Sequence, residues 1–168
     1  LERLRRELAR AHGVGDFAVD HACLAQLARR LRQAGWKVTA TLTRGGDGEG
    51  PRLIGLDAGD RSGKHYGLAI DIGTTTVWVE LIDLATREAL GRESEYNAQI
   101  SLGDDIITRI VASLKKDGLA RLQGLVVGTI NTLVDRLLEK TGVGRDDIVY
   151  AVAAGNTTMV HLLFGIES

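Results

Sequence analysis

The feature that most constrains this chain is a nearly unbroken apolar run, Tyr66-Gly67-Leu68-Ala69-Ile70-Asp71-Ile72. A glycine and three threonines interrupt it before Val77-Trp78-Val79-Glu80-Leu81-Ile82 resumes it. Apolar runs of this length bounded by turn formers read as buried strands. Two of them joined by Gly73-Thr74-Thr75-Thr76 read as a hairpin. The carboxylate inside the first run is the anomaly. An aspartate in a buried strand costs free energy unless it is paired or holds a metal, and the apolar run predicts that Asp71 is buried. Mg²⁺ takes oxygen ligands and keeps several waters, so Asp71 can hold a hydrated Mg²⁺ through water, beside phosphates. Gly73 lets backbone approach an anion where a Cβ would intrude. Thr74, Thr75 and Thr76 offer hydroxyl and backbone N–H donors at the bend, an anion-accepting nest. The same residue types are ordinary turn formers. The burial expected of Asp71, and threonine where Gly, Asn or Ser would serve, favour a phosphate-binding hairpin.

The flanks extend this unit. Arg87 to Tyr96 is a weaker third strand, which completes a meander. From Asp104 to Leu114, Ile106, Ile107, Ile110, Val111 and Leu114 mark the apolar side of a helix. A second helix spans about Ala120 to Lys140 and ends at Gly142 and Gly144. Ile148 to Ala154 reads as a buried strand, and Met159 to Phe164 begins another helix. Between them, Gly155-Asn156-Thr157-Thr158 supports two readings. It is a helix N-terminus with free N–H groups and polar side chains, suited to an anion. It is equally a capped strand-to-helix turn. Asp104 and Asp105 read first as helix-capping acids, with Mg²⁺ or water positioning as the lesser role. Asn97 and Gln99 form a polar turn expected to line a cleft or a partner surface.

The preceding region differs. Residues 1–15 read as a linker helix, and 16–63 as a small α+β module: a helix capped by Asp20, a strand from Trp36, a loop at Gly45 to Pro51, and a return strand from Arg52. Arg-rich residues 1–10 also carry acids and read as a solvated face, with docking or homodimer formation as the minority role. Cys23 reads as a small core residue. Gly59 to Lys64 has neither the spacing nor the following Ser/Thr of a P-loop.

Composition removes other classes. With 21 basic and 22 acidic side chains, the chain is not built to coat nucleic acid or an anionic membrane. No apolar run reaches the roughly 18–20 residues of a membrane span, and no signal peptide opens the sequence. A cytoplasmic location is the expectation. One cysteine cannot form an intrachain disulfide framework, a Cys-based zinc site or an iron–sulfur site. The chain opens on Leu1 and stops at Ser168; it is expected to be a piece of a longer protein.

The string Asp71-Ile72-Gly73-Thr74-Thr75-Thr76 followed by a strand resembles the first phosphate motif of the ASKHA superfamily, which includes acetate and sugar kinases, heat-shock chaperones and actin. Three further segments narrow the resemblance: Asn97-Ala98-Gln99, Gly103 to Ile110, and Ala154 to Ile166. With Tyr66 to Thr76 they are similar to the reductive activators of corrinoid proteins, over roughly Tyr66 to the end. The module before Tyr66 resembles that family's middle domain more weakly. Ala98 stands where the family often has proline. The resemblance implies an α/β fold, in which residues 64–168 form the first RNase H-like half of an actin-like ATPase. It implies ATP and Mg²⁺ as cofactors, with Asp71 the catalytic and Mg²⁺-holding residue. The phosphate contacts would be Gly73, Thr74, Thr75, Thr76, Gly155, Asn156, Thr157 and Thr158. It implies reduction of Co(II) corrinoid to Co(I) on a corrinoid (iron-sulfur) protein partner, with electrons from a [2Fe–2S] domain in the parent protein whose cysteines this chain lacks. Another small-molecule kinase of the superfamily, and a nucleotide-independent docking or dimerisation module, are the alternatives.

Overall fold

The computed structural model describes residues 1–44 and 49–167. The loop expected at Gly45 to Pro51 falls partly outside them. The chain divides into two compact units, Leu1–Lys64 and His65–Ser168.

In the first unit, α1 (Glu2–His12) ends at Gly13, whose φ of 71° is left-handed. The Asp20 carboxylate accepts the Ala22 N–H at 2.8 Å and starts α2 (His21–Gln33). Strands β1 (Ala18–Val19), β2 (Val38–Thr43) and β3 (Arg52–Ala58) form a sheet in the order β1-β3-β2. β1 runs parallel to β3, and β2 antiparallel. Two-residue β1 is too short to leave a periodicity in the sequence. Phe17, Leu27, Leu53 and Leu56 are the buried core, and Leu4 and Leu8 of α1 lie against it.

The second unit begins with the expected meander: β4 (Tyr66–Ile72), β5 (Thr76–Asp83) and β6 (Ala89–Tyr96). A 3-10 turn (Ala98–Ser101) leads to α3 (Ile106–Ser113) and the long α4 (Gly118–Thr141). A second 3-10 turn (Arg145–Asp147) precedes β7 (Ile148–Gly155), and α5 (Thr157–Phe164) follows. The sheet order is β6-β5-β4-β7, with β7 parallel to β4. Helix α4 lays Leu122, Val126, Leu133, Val134 and Leu137 against Ile72, Val77, Val79 and Leu81. Burying such side chains contributes roughly 1.5–3 kcal/mol each. The fold is therefore α/β, as the family resemblance implies.

Two expectations fail. Strand β7 is not buried: Tyr150 to Gly155 are all exposed. β7 pairs only with β4 at the sheet edge, and α4 packs over β5 and β6 instead. Helix α3 is also turned from its expected orientation. Ile107, Val111 and Leu114 face solvent, Ile107 at 72% exposure, while Arg109 and Ala112 are buried. The inward face of α3 is the one that carries Arg109 and its hydrogen bonds, described below. Among the described residues no helix is long and apolar enough to cross a membrane.

Cys23 of α2 packs half-buried beside the first unit's core. Burial pushes its thiol pKa up; Arg30 opposes that, and Asp20 and Asp57 add to it. Since the thiolate is the reactive form, iodoacetamide should label Cys23 more slowly at pH 8 than an unstructured peptide thiol. Denaturant should erase the difference, as read by mass spectrometry over time.

Candidate functional site

The site starts from the pleat of β4. Asp71 pairs with Trp78 on β5 and Ala154 on β7, so its side chain emerges on the sheet face opposite α4. That face is open, and Trp78 is 45% exposed on it. Asp71 is therefore exposed, contrary to the expectation of a buried carboxylate. The apolar run misleads because only one face of β4 carries a helix. Asp20, Asp60, Asp83 and Asp105 each accept a backbone N–H two or three residues on. The Asp71 carboxylate makes no hydrogen bond or ion pair among the described residues, so it is no turn former. Beside it on the open face, Arg92 pairs with Glu80 at 2.8 Å and lies 5.9 Å from the centre of the Trp78 ring.

Thr74 and Thr75 make the two-residue bend between β4 and β5. Bends of this length ordinarily adopt types I′ or II′, which need positive φ. None of residues 73–76 has positive φ, as suits β-branched threonine. The bend is held from outside instead. The Gly73 carbonyl accepts from Asn97 Nδ2 at 2.9 Å, and the Thr74 carbonyl from Arg109 Nη2 at 2.6 Å. The Thr75 carbonyl accepts the Asn97 N–H at 2.8 Å, and the Thr76 carbonyl the Gly73 N–H at 3.0 Å. In a trans peptide the C=O and the following N–H point in opposite directions. Carbonyls bonded toward the protein thus turn the Thr74 and Thr75 N–H groups away from it, and these N–H groups have no acceptor among the described residues. At Gly73 a Cβ would stand 2.5 Å from the Thr76 carbonyl oxygen. The hairpin's own closure requires this glycine.

The end of β7 lies beside the hairpin. A Cβ on Gly155 would stand 2.9 Å from the Ile72 carbonyl oxygen. Asn156 caps α5, its Oδ1 accepting the Met159 N–H at 3.0 Å, and its Nδ2 donates to Thr74 Oγ1 at 3.3 Å. The strand-to-helix turn is thus both a cap and a neighbour of the hairpin. Thr157 is exposed and Thr158 half-buried at the first turn of α5.

A polar cluster lies beneath the hairpin. Asn97, Gln99 and Arg109 are all 0% exposed, so Asn97 and Gln99 do not line a surface as expected. Gln99 Nε2 donates to the Leu122 carbonyl at 2.9 Å, and Asn97 Oδ1 accepts the Gln99 N–H at 3.1 Å. Arg109 donates from Nε to the Gly103 carbonyl at 2.9 Å and from Nη1 to Gln99 Oε1 at 3.2 Å and Met159 Sδ at 3.3 Å. Sequence reasoning missed Arg109. The available signal was a charged residue three positions from both Ile106 and Ala112, on one helical stripe. Burial lowers the Arg109 pKa, with Asp104 and Asp105 opposing. Asp105 forms a capping box with Thr108, and Asp104 is exposed.

No group of three or more His, Cys, Asp or Glu side chains that could hold a metal ion occurs among the described residues. Asp71 alone fits a hydrated Mg²⁺ arriving with phosphates, because such an ion needs only one or two protein carboxylates. One cysteine does not fit a [2Fe–2S] cluster, which needs four protein ligands.

Residues 66–168 match the family described as the RACo middle region, and residues 1–63 match the RACo linker region. The corrinoid activation enzyme RamQ of Eubacterium limosum is 32% identical over 120 residues, 70% of this chain and 20% of RamQ. A solved reductive activator for corrinoid, iron-sulfur protein superposes on 99% of this chain with a TM-score of 0.82 and 37% identity. The matched part is 26% of that chain. The sequence thus spans about a fifth of the curated relative and a quarter of the solved one.

Gly73→Ala should destabilise the second unit by about 1–3 kcal/mol, the usual cost of forced overpacking, measured by denaturant unfolding. Asp105 gives a pH test. The Thr108 backbone N–H, then its hydroxyl, hold the Asp105 pKa below the ordinary carboxylate value. A depressed folded-state pKa contributes stability above the unfolded pKa, and that stability is lost as pH falls through the folded one. Asp105→Asn should therefore flatten the acid limb of the melting-temperature profile below the ordinary aspartate pKa, with little change in its slope near neutrality.

Proposed function

The chain belongs to the RACo family, whose linker and middle regions it covers, and on that footing we propose that it serves the ATP-dependent reductive activation of a corrinoid protein. One observation carries the reading. Asp71, a carboxylate without a partner among the described residues, lies two residues before a hairpin bend whose four carbonyls are all bonded and whose Thr74 and Thr75 N–H groups have no acceptor among the described residues. A carboxylate for a hydrated cation beside outward N–H groups is complementary to a magnesium-bound polyphosphate.

Each residue has a part in this reading. Asp71 holds Mg²⁺ through water and orients it, the role closest to catalysis. Gly73 keeps the hairpin closed, while Thr74, Thr75 and Thr76 present donors to the phosphates. Gly155 permits β7 to approach β4, and Asn156 links Thr74 to the first turn of α5. The N–H groups and dipole of that turn, at Thr157 and Thr158, add positive potential for an anion. Bound Mg-ATP supplies the free energy for the uphill return of Co(II) corrinoid to Co(I). The electrons come from a [2Fe–2S] centre on another part of the parent protein, since one cysteine cannot hold it. The partner is a corrinoid iron-sulfur protein, in keeping with what the solved relative's name states of it.

The test is calorimetric titration of Mg-ATP into the chain with its native flanking sequence, as wild type and Asp71→Asn. Because Asp71 is exposed and unbonded, the variant should melt like the wild type. Its Mg²⁺-dependent gain in ATP affinity should vanish, a loss of about tenfold or more. Identical Mg-ATP isotherms for both proteins would overturn the reading. Binding of a corrinoid protein with no nucleotide effect would support a docking module, and turnover driven by a small-molecule acceptor would support a kinase.

A further inference from the structure

We infer that Arg109 is the positioning residue of the hairpin, holding the Thr74-Thr75 bend so that its N–H groups face an anionic phosphate, and that its charge is the buried counter-charge to that phosphate. The inference rests on the reading that the hairpin takes the phosphates, and it assigns the group that makes the hairpin competent. The first argument is conformational. A two-residue bend without positive φ departs from the type I′ and II′ turns whose twist matches the strands, so it depends on contacts from outside the hairpin. Of its two central carbonyls, Thr75's is held by the Asn97 backbone and Thr74's by the Arg109 guanidinium. The Thr74 carbonyl bond fixes the peptide that carries the Thr75 N–H, so loss of Arg109 frees that N–H to rotate.

The second argument is electrostatic. The guanidinium is 0% exposed, and all its acceptors are neutral: two backbone carbonyls, an amide oxygen and a thioether sulfur. It forms no ion pair among the described residues. A buried cation is costly unless compensated, and an apolar side chain of similar volume would fill the space without that cost. The nearest acids the guanidinium senses, Asp104 and Asp105, are exposed at the start of α3. An anion on the Thr74 and Thr75 N–H groups would sit one peptide unit from Nη2, close enough for the guanidinium charge to act across that peptide. The same guanidinium bonds Met159 of α5, and Asn156 of the α5 cap bonds Thr74. One side chain thus fixes both segments that would face the ligand.

The experiment uses the chain with its native flanks as wild type, Arg109→Lys and Arg109→Met, with Mg-ATP as probe. Two readouts are taken: the dissociation constant, and amide hydrogen exchange without ligand. Both variants should bind Mg-ATP about ten- to a hundredfold more weakly, the usual effect of losing a charged hydrogen bond. The Gly73 and Asn97 amides, which close the hairpin, should lose protection, while α4 amides such as Val126 and Leu133 keep theirs. Lysine should restore part of the affinity through its charge, and not the hairpin protection. Wild-type affinity in either folded variant overturns the inference and leaves the proposed function standing. No binding by the wild type sinks both, and that failure shows in a different sample. If neither variant folds, the Arg109 Nε–H resonance of the wild type decides: a shift on adding Mg-ATP supports the inference, and an unmoved signal overturns it.

Discussion

The guanidinium of Arg109 reaches four segments of the second unit: the hairpin at Thr74, the 3-10 turn at Gln99, the loop at Gly103 and α5 at Met159. All four acceptors are neutral, and the bonds to Gln99 and Met159 are fully buried, where a hydrogen bond is stronger and an unmet donor is expensive. The demand to satisfy this one group orders its surroundings. It rotates α3 so that Arg109 and Ala112 face inward, and leaves Ile107, Val111 and Leu114 in solvent. It also sets the direction of the Thr74–Thr75 peptide in a bend that departs from the usual hairpin turns.

The second determinant is the one-sidedness of the sheet. Helix α4 covers β5 and β6 with a continuous apolar stripe from Leu122 to Leu137. The opposite face carries Trp78, Tyr150 and Val152, each about half exposed. Asp71 follows from this geometry. Its neighbours Ile70 and Ile72 point into the covered layer, and the two-residue period of a strand then sends the carboxylate outward. Asp71 is thereby delivered to solvent two residues before the bend, with no side-chain partner among the described residues.

These two determinants meet at the site. The covered face contributes rigid support beneath the hairpin, through Asn97, Gln99, Arg109 and Met159. The open face contributes the free carboxylate, and the end of β7 contributes Asn156 beside Thr74. A group built this way has its polar backbone committed on one side and available on the other, the arrangement an anion-binding loop needs. The two faces thus divide support of the hairpin from its solvent-facing groups.

Much of this was legible without coordinates. Alternation and apolar runs set the meander, the strand from Ile148 and the helices between them, because the period of an apolar pattern reflects whether a segment is a strand or a helix. Turn residues marked the boundaries: Asp20, Asp105 and Asn156 each cap a helix where local chemistry predicts it. The sequence by itself therefore determined the α/β class, the order of the elements and the hairpin with Asp71 at its entrance. Only the tertiary structure decided that Asp71 is exposed, that β7 is an open edge and that Arg109 lies in the core. Burial of one particular face depends on which elements cross it, and a charged residue's partners come from segments as far apart as Thr74 and Met159. No local pattern records such distances, so those choices belong to the folded chain.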